Sequence, residues 1–281
     1  MTPAYQLLVI DPQNDFCDLP DDWCPQLPLA PRQHPSLPVA GAHADMLRVA
    51  AWLRTFTQHV DMVTVTLDSH QRFDIAHPDF WQQGYSGSTV APFTPITAAQ
   101  VRQGQYLPRV PTNLDRALKY LDALEAAGRY TLMVWPVHCE IGSWGHGIHP
   151  AILAACGQWQ VQRQQAVHHI HKGTNPWTEH YSCLRAEVSV PDDPSTQLNT
   201  RMLERLQMAE HLIIAGEASS HCVRTTVEDL LSLVPPEFAS RITLLTDGMS
   251  PVPGFEAEHE EFFTRMQAQG VQLSTTTALV L

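Results

Sequence analysis

The chain has 281 residues, 44% of them hydrophobic, and a formal net charge of −12. That length and apolar content suffice for one sizeable core. The acidic excess is spread along the chain, and without basic clusters neither nucleic acid nor an anionic membrane surface is an expected partner. In chain order, the patterning predicts a strand over residues 7–10, a helix over 42–57, a strand over 61–67 and a helix over 112–126. Strands over 130–135 and 166–171 follow, then a helix over 200–209 and a strand over 211–215. A helix over 223–233, a strand over 242–246, a helix over 256–269 and a strand over 272–280 complete the series. In the helix after Cys222, the residues Val223, Val227, Leu230, Leu231 and Val234 fall on one stripe. Near-continuous apolar strands alternating with such helices predict a three-layer α/β/α sandwich around a mostly parallel, doubly wound sheet. Ligands in such sheets sit outside the carboxyl ends of the strands.

No second core, repeat or low-complexity tract is visible, so residues 1–281 read as a single domain. Two stretches read as loop insertions. Residues 18–40 carry six prolines, which excludes regular structure over most of that length. Residues 84–111 hold Gly, Ser, Thr and Pro with little period. The six cysteines are irregularly spaced and form no CxxC pair, so neither a disulfide framework nor a zinc ribbon is expected. No apolar run approaches the ~20 residues of a membrane helix. The N-terminus runs into an apolar strand without a charged leader or cleavage site, and a cytoplasmic location is the expectation. Oligomeric state is left open, a homo-oligomer included.

Four groups of residues are candidates for chemistry. Asp11 directly follows the first strand in Ile10-Asp11-Pro12-Gln13-Asn14-Asp15-Phe16; alone it reads equally as a turn aspartate before proline. Cys222 opens an amphipathic helix after a buried strand, where backbone N–H groups lower a thiol pKa and bind an oxyanion. Small residues precede it, as in a nucleophile elbow; the competing reading is a buried structural cysteine. Lys172 ends the strand before Gly173-Thr174, and alone it reads as a surface lysine. All three sit at carboxyl ends of different candidate strands. The fourth group is Asp68 and His70 after the second strand, with His138 in Trp135-Pro136-Val137-His138-Cys139. One carboxylate and two imidazoles form a metal set with open positions. His77 is then a fourth ligand or a group behind the ligands, and solvated loop histidines are the alternative.

Taken together, these motifs resemble the nicotinamidase/isochorismatase family of cysteine hydrolases, closest to its metal-containing nicotinamidases. The segment around Asp11 resembles the family's D-x-Q-x-D-F opening. Ser36-Leu37-Pro38-Val39 with Gly41-Ala42 is similar to its S-L-x-V-x-G-A stretch. Asp68-Ser69-His70 resembles its D-x-H metal motif, with serine in place of the usual tryptophan. Trp135 to Cys139 resembles W-P-x-H-C, and Lys172-Gly173-Thr174 the K-G-T strand end. Gly216 to Val223, with Thr226, looks like the G-x-A-x-x-x-C-V-x-x-T nucleophile turn. These matches run in family order from residue 5 to about residue 230.

The resemblance implies a catalytic triad of Asp11, Lys172 and Cys222. It implies an oxyanion hole from the N–H groups of Ala218 and Cys222, and a cis peptide between Glu217 and Ala218. It implies a divalent ion (zinc, iron or manganese) on Asp68, His70 and His138, which in nicotinamidases holds the pyridine nitrogen. Phe16 and Trp135 would sandwich the ring. The expected activity is cleavage of a small ring amide such as nicotinamide, through a thioester. The alternatives are another small amide or ureido substrate, or a silent relative that only binds a ligand.

Overall fold

The computed structural model describes residues 4–26, 28 and 31–281. Among these residues there are ten strands: β1 (Tyr5–Ile10), β2 (Met62–Asp68), β3 (Trp81–Gln83), β4 (Thr94–Ile96), β5 (Tyr106–Pro108), β6 (Leu132–Val134), β7 (His168–Lys172), β8 (His211–Gly216), β9 (Ile242–Leu245) and β10 (Gln272–Ser274). The helices are α1 (Ala42–Thr55), α2 (Ala98–Arg102), α3 (Leu114–Ala127), α4 (Pro150–Arg163), α5 (Thr200–Gln207), α6 (Cys222–Leu233) and α7 (Glu256–Ala268). Six strands form one parallel sheet in the order β10-β9-β8-β1-β2-β7. This is the expected mostly parallel sheet with flanking helices, around one contiguous cluster of buried apolar side chains. Among the described residues no helix is long and apolar enough to cross a membrane.

The central strands β1 and β8 are buried along almost their whole length, as a parallel sheet covered on both faces demands. Strand β7 lies at the edge, where His169 and His171 alternate outward. The chain passes from β1 to β2 on one side of β1 and later places β8 on the other. That reversal leaves a crevice at the carboxyl ends of β8, β1, β2 and β7. Register puts the ends level: Ile10 pairs with Gly216 and Asp68 with Lys172.

The structure departs from expectation at several points. The strand at 130–135 shortens to β6 and leaves the central sheet, pairing antiparallel with β4. Its flanks are engaged elsewhere: Trp135 N–H donates to the Ala76 carbonyl at 2.7 Å, and the Tyr130 and Thr225 hydroxyls bond at 2.6 Å. Residues 84–111 are not plain loop. They hold β4, β5 and α2, whose N-terminus is a Thr97–Gln100 capping box. Three-residue strands and a five-residue helix are too short to show a period. Helix α4 was not anticipated at all. Its buried face is Ala151, Ile152, Ala155, Cys156 and Trp159, a stripe of mostly small residues with Gly157 in its midst.

The 18–40 stretch is largely irregular, with one short 3-10 turn at Asp21–Trp23; its residues 27, 29 and 30 lie outside the described residues. The strand expected at 272–280 ends at Ser274.

Candidate active site

The Asp11-to-Phe16 segment organises the crevice. Asp11 turns the chain out of β1 with φ of 44°. Its Oδ1 accepts from Thr66 Oγ1 at 2.5 Å, and its N–H donates to the same hydroxyl at 3.0 Å. Gln13 grips the end of β2: its Oε1 accepts from Asp68 N–H at 2.7 Å, and its Nε2 donates to Asp68 O at 2.8 Å. Asp15 accepts from the N–H groups of Ser36 (3.0 Å) and Cys139 (2.7 Å). It therefore ties together the loops carrying Leu37 and His138, beyond any local cap.

The structure brings Asp11, Lys172 and Cys222 into contact. Lys172 Nζ lies 2.9 Å from Asp11 Oδ2, 3.2 Å from Asp68 Oδ1 and 3.5 Å from Cys222 Sγ, and donates to the His180 carbonyl at 2.9 Å. All three side chains are buried. Glycines permit this crowding. A Cβ on Gly216 would meet the Ile10 carbonyl oxygen at 2.0 Å, and one on Gly173 would meet Asp68 Oδ1 at 2.7 Å. Both residues also have positive φ.

Burial pushes the Cys222 thiol well up, against the pull of Lys172. Burial likewise raises Asp11, again against Lys172. On Lys172 itself burial acts downward, but Asp11 and Asp68 outweigh it and hold the ammonium well above its ordinary range. Moving a proton from Cys222 to Asp11 would leave the charge count unchanged, one anion giving way to another beside the same cation. Cys139 is fully buried, and burial pushes its thiol well up.

Beside this group lies a corner of imidazoles. One nitrogen from each of His70, His77 and His138 lies within 4.8 Å of the others. Asp68 Oδ2 is 3.2 Å from His70 Nε2 and 3.7 Å from His138 Nε2. Donors about 2.0–2.1 Å from a tetrahedral ion stand roughly 3.4 Å apart, so these spacings fit one. His70 Nδ1 is engaged by Asp74 Oδ2 at 3.0 Å, and His138 Nδ1 by the Pro136 carbonyl at 2.8 Å. Each thus points Nε2 at the corner, as partners behind metal-binding histidines do. His70 Nε2 and both nitrogens of His77 are buried without a hydrogen-bond partner. Burial, then His138 and His70, pull His77 down to about 2, which keeps it neutral and ligand-competent. The two systems share Asp68, one oxygen facing Lys172 and the other the imidazoles.

A pocket leads to the thiol between Phe16 and Trp135, also lined by Leu37, Glu179, Tyr181, Ala218, His221 and Val252. Phe93, from the 84–111 stretch, packs edge-on against Trp135. The Glu217–Ala218 peptide is cis. Thr66, Asp74, Glu179, His180, Tyr181 and His221 are pocket or supporting residues that sequence reasoning missed. Only His221 carried a signal, as the neighbour of Cys222.

No family model matches the chain. The nicotinamidase of Escherichia coli is 29% identical over 144 residues, a match spanning 50% of this chain and 57% of that protein. Among solved structures, an Acinetobacter baumanii nicotinamidase/pyrazinamidase superposes with a TM-score of 0.60 at 19% identity, covering 98% of this chain and 97% of that one. The yeast nicotinamidase gives 0.58 at 18%, with 96% and 98% covered. A Pyrococcus horikoshii pyrazinamidase solved with zinc gives 0.53 at 18%, with 97% and 99% covered. The chain therefore shares the α/β fold of these nicotinamidases and pyrazinamidases.

Proposed function

We propose that the chain is a cysteine amidohydrolase that cleaves a small ring amide such as nicotinamide to the acid and ammonia. The observation that carries this reading is the Lys172 ammonium, in contact with both Asp11 and Cys222 at the foot of an aromatic-walled pocket. Asp11 takes the thiol proton and the Cys222 thiolate attacks the amide carbonyl. Lys172 stabilises whichever of the two carries the negative charge. The tetrahedral oxyanion faces the N–H groups of Ala218 and Cys222, each donor contributing about 3–4 kcal/mol by analogy with other hydrolases. Asp11 returns its proton to the departing ammonia, then takes one from the water that cleaves the thioester.

Phe16 and Trp135 select for planar substrates. Asp68, His70 and His138, with His77 as fourth donor, would hold a zinc, iron or manganese ion. Such an ion supplies Lewis acidity and a fixed positive point for a ring nitrogen. Residues 1–281 form one domain on this reading. The 18–40 and 84–111 segments reshape the pocket through Leu37 and Phe93, and the site is cytoplasmic. Ammonia release from nicotinamide, against a panel of aliphatic and ureido amides, tests the assignment. Preference for the aliphatic or ureido compounds would overturn the ring-amide reading.

A further inference from the structure

The turn between β8 and α6 is fastened by groups that take no part in the chemistry above it. Gly216 N–H donates to Gly248 O at 2.9 Å, Ser219 N–H to Ser250 O at 2.9 Å, and Val252 N–H to Ser220 Oγ at 3.1 Å. Ser250 adds two more bonds. Its N–H donates to Glu217 Oε2 at 3.1 Å and its hydroxyl to Asp45 Oδ2 at 2.6 Å. One serine thus bridges two buried carboxyl groups from β8's end and from α1. Glu217 Oε1 is buried with no hydrogen-bond partner, and a bare anionic oxygen there would carry an uncompensated desolvation cost, which favours a proton on Glu217.

Among the described residues, Arg48 is the one cation ion-paired with either carboxyl. Arg48 binds Asp45 and donates its Nε to the Asp247 carbonyl at 2.6 Å. Asp18, whose oxygens accept from the N–H groups of Gly41 and His43, is within electrostatic range of Glu217. So is the Cys17 thiol, while His259, bound to the Ser219 hydroxyl at 2.7 Å, is within range of Asp45. Two ionised carboxylates here would leave a buried charge uncompensated. Burial, then Asp45, holds Glu217 well above the carboxylate range.

Glu217 immediately precedes Ala218, and the Ala218 N–H belongs to the peptide joining them. We propose that Glu217 is a positioning residue of the oxyanion turn, aiming the Ala218 N–H as a protonated carboxyl tied to Asp45 through Ser250. The proposal rests on the amide-hydrolysis reading for its kinetic readout and is independent of it for its spectroscopic one. A carboxyl with a raised pKa keeps its contribution at low pH and loses it as pH rises through that value. The clamp therefore weakens toward alkaline pH.

The test compares Glu217→Ala and Glu217→Gln with the parent. Glu217→Ala should lower kcat roughly 10- to 100-fold with little change in KM, because a misaimed donor is missed only by the developing oxyanion. Glu217→Gln still accepts from the Ser250 N–H but cannot titrate. It should recover most of the lost kcat and hold its activity to higher pH than the parent. The infrared carbonyl band of a protonated carboxyl should disappear in Glu217→Gln. Persistence of that band overturns the protonated Glu217, whatever the protein hydrolyses. Superimposable pH profiles for parent and Glu217→Gln, or parent-like kcat in Glu217→Ala, overturn the positioning role. Should the alanine variant fail to fold, the glutamine variant and its band decide alone.

Discussion

Lys172→Met removes one charge and keeps most of the stem. The ammonium lies 2.9 Å from Asp11 and 3.2 Å from Asp68 in a closed site. Breaking a buried pair by deleting one partner costs about 3–5 kcal/mol, because the other charge stays buried. Asp11 can escape that penalty only by taking up a proton. Burial already raises Asp11, and Lys172 is the largest influence opposing the rise; without it the value climbs further. The raised carboxyl is tolerated at low pH and destabilises as pH rises through its folded value. Urea denaturation should therefore show a small deficit at about pH 5 and a deficit approaching the full penalty at about pH 8. Turnover should fall roughly a thousandfold, about 4 kcal/mol, since the thiolate loses its cation and Asp11 is already protonated. Equal stability of parent and variant at both pH values, or turnover within a few-fold of the parent, would refute the account.

Cys222→Ala should abolish amide turnover with the fold intact by circular dichroism, and iodoacetamide should label Cys222 ahead of the other five cysteines; residual turnover or even labelling of all six would remove it as nucleophile. His77→Ala should weaken zinc binding in a chelator competition by roughly 10- to 100-fold, and His70→Ala should do at least as much; unchanged affinity in both would make the imidazole corner structural. Trp135→Ala should raise KM for a ring amide far more than it lowers kcat, since stacking acts on bound substrate and transition state alike; a pure kcat effect would contradict a stacking role.

The ends of β1, β2 and β8 were legible because buried parallel strands are largely apolar runs, and a charged residue closing such a run stands out. Asp11 and Asp68 are of this kind, whereas Lys172 closes the histidine-rich edge strand β7 and was legible through the Lys172-Gly173-Thr174 motif. Gln13 and Asp15 were visible as letters of a motif, but their work of gripping Asp68, Ser36 and Cys139 is long-range and leaves no local trace. The stretch from Gly173 to Asn199 supplied Glu179, His180 and Tyr181 and was opaque. It is irregular backbone packed over the site, and irregular backbone has no period to read. Helix α4 was hidden by a different problem: its buried stripe of Ile152, Ala155, Cys156 and Trp159 has helical spacing but only two large apolar residues to mark it.

The burial of Lys172 bears on handling the protein. The chain contains two lysines, and the other, Lys119, is exposed on α3. Lysine-directed coupling therefore meets a single side-chain amine, remote in sequence from every residue of the triad. Protein fixed to a support through that side chain would stand in one orientation, with its thiol unmodified by the linkage.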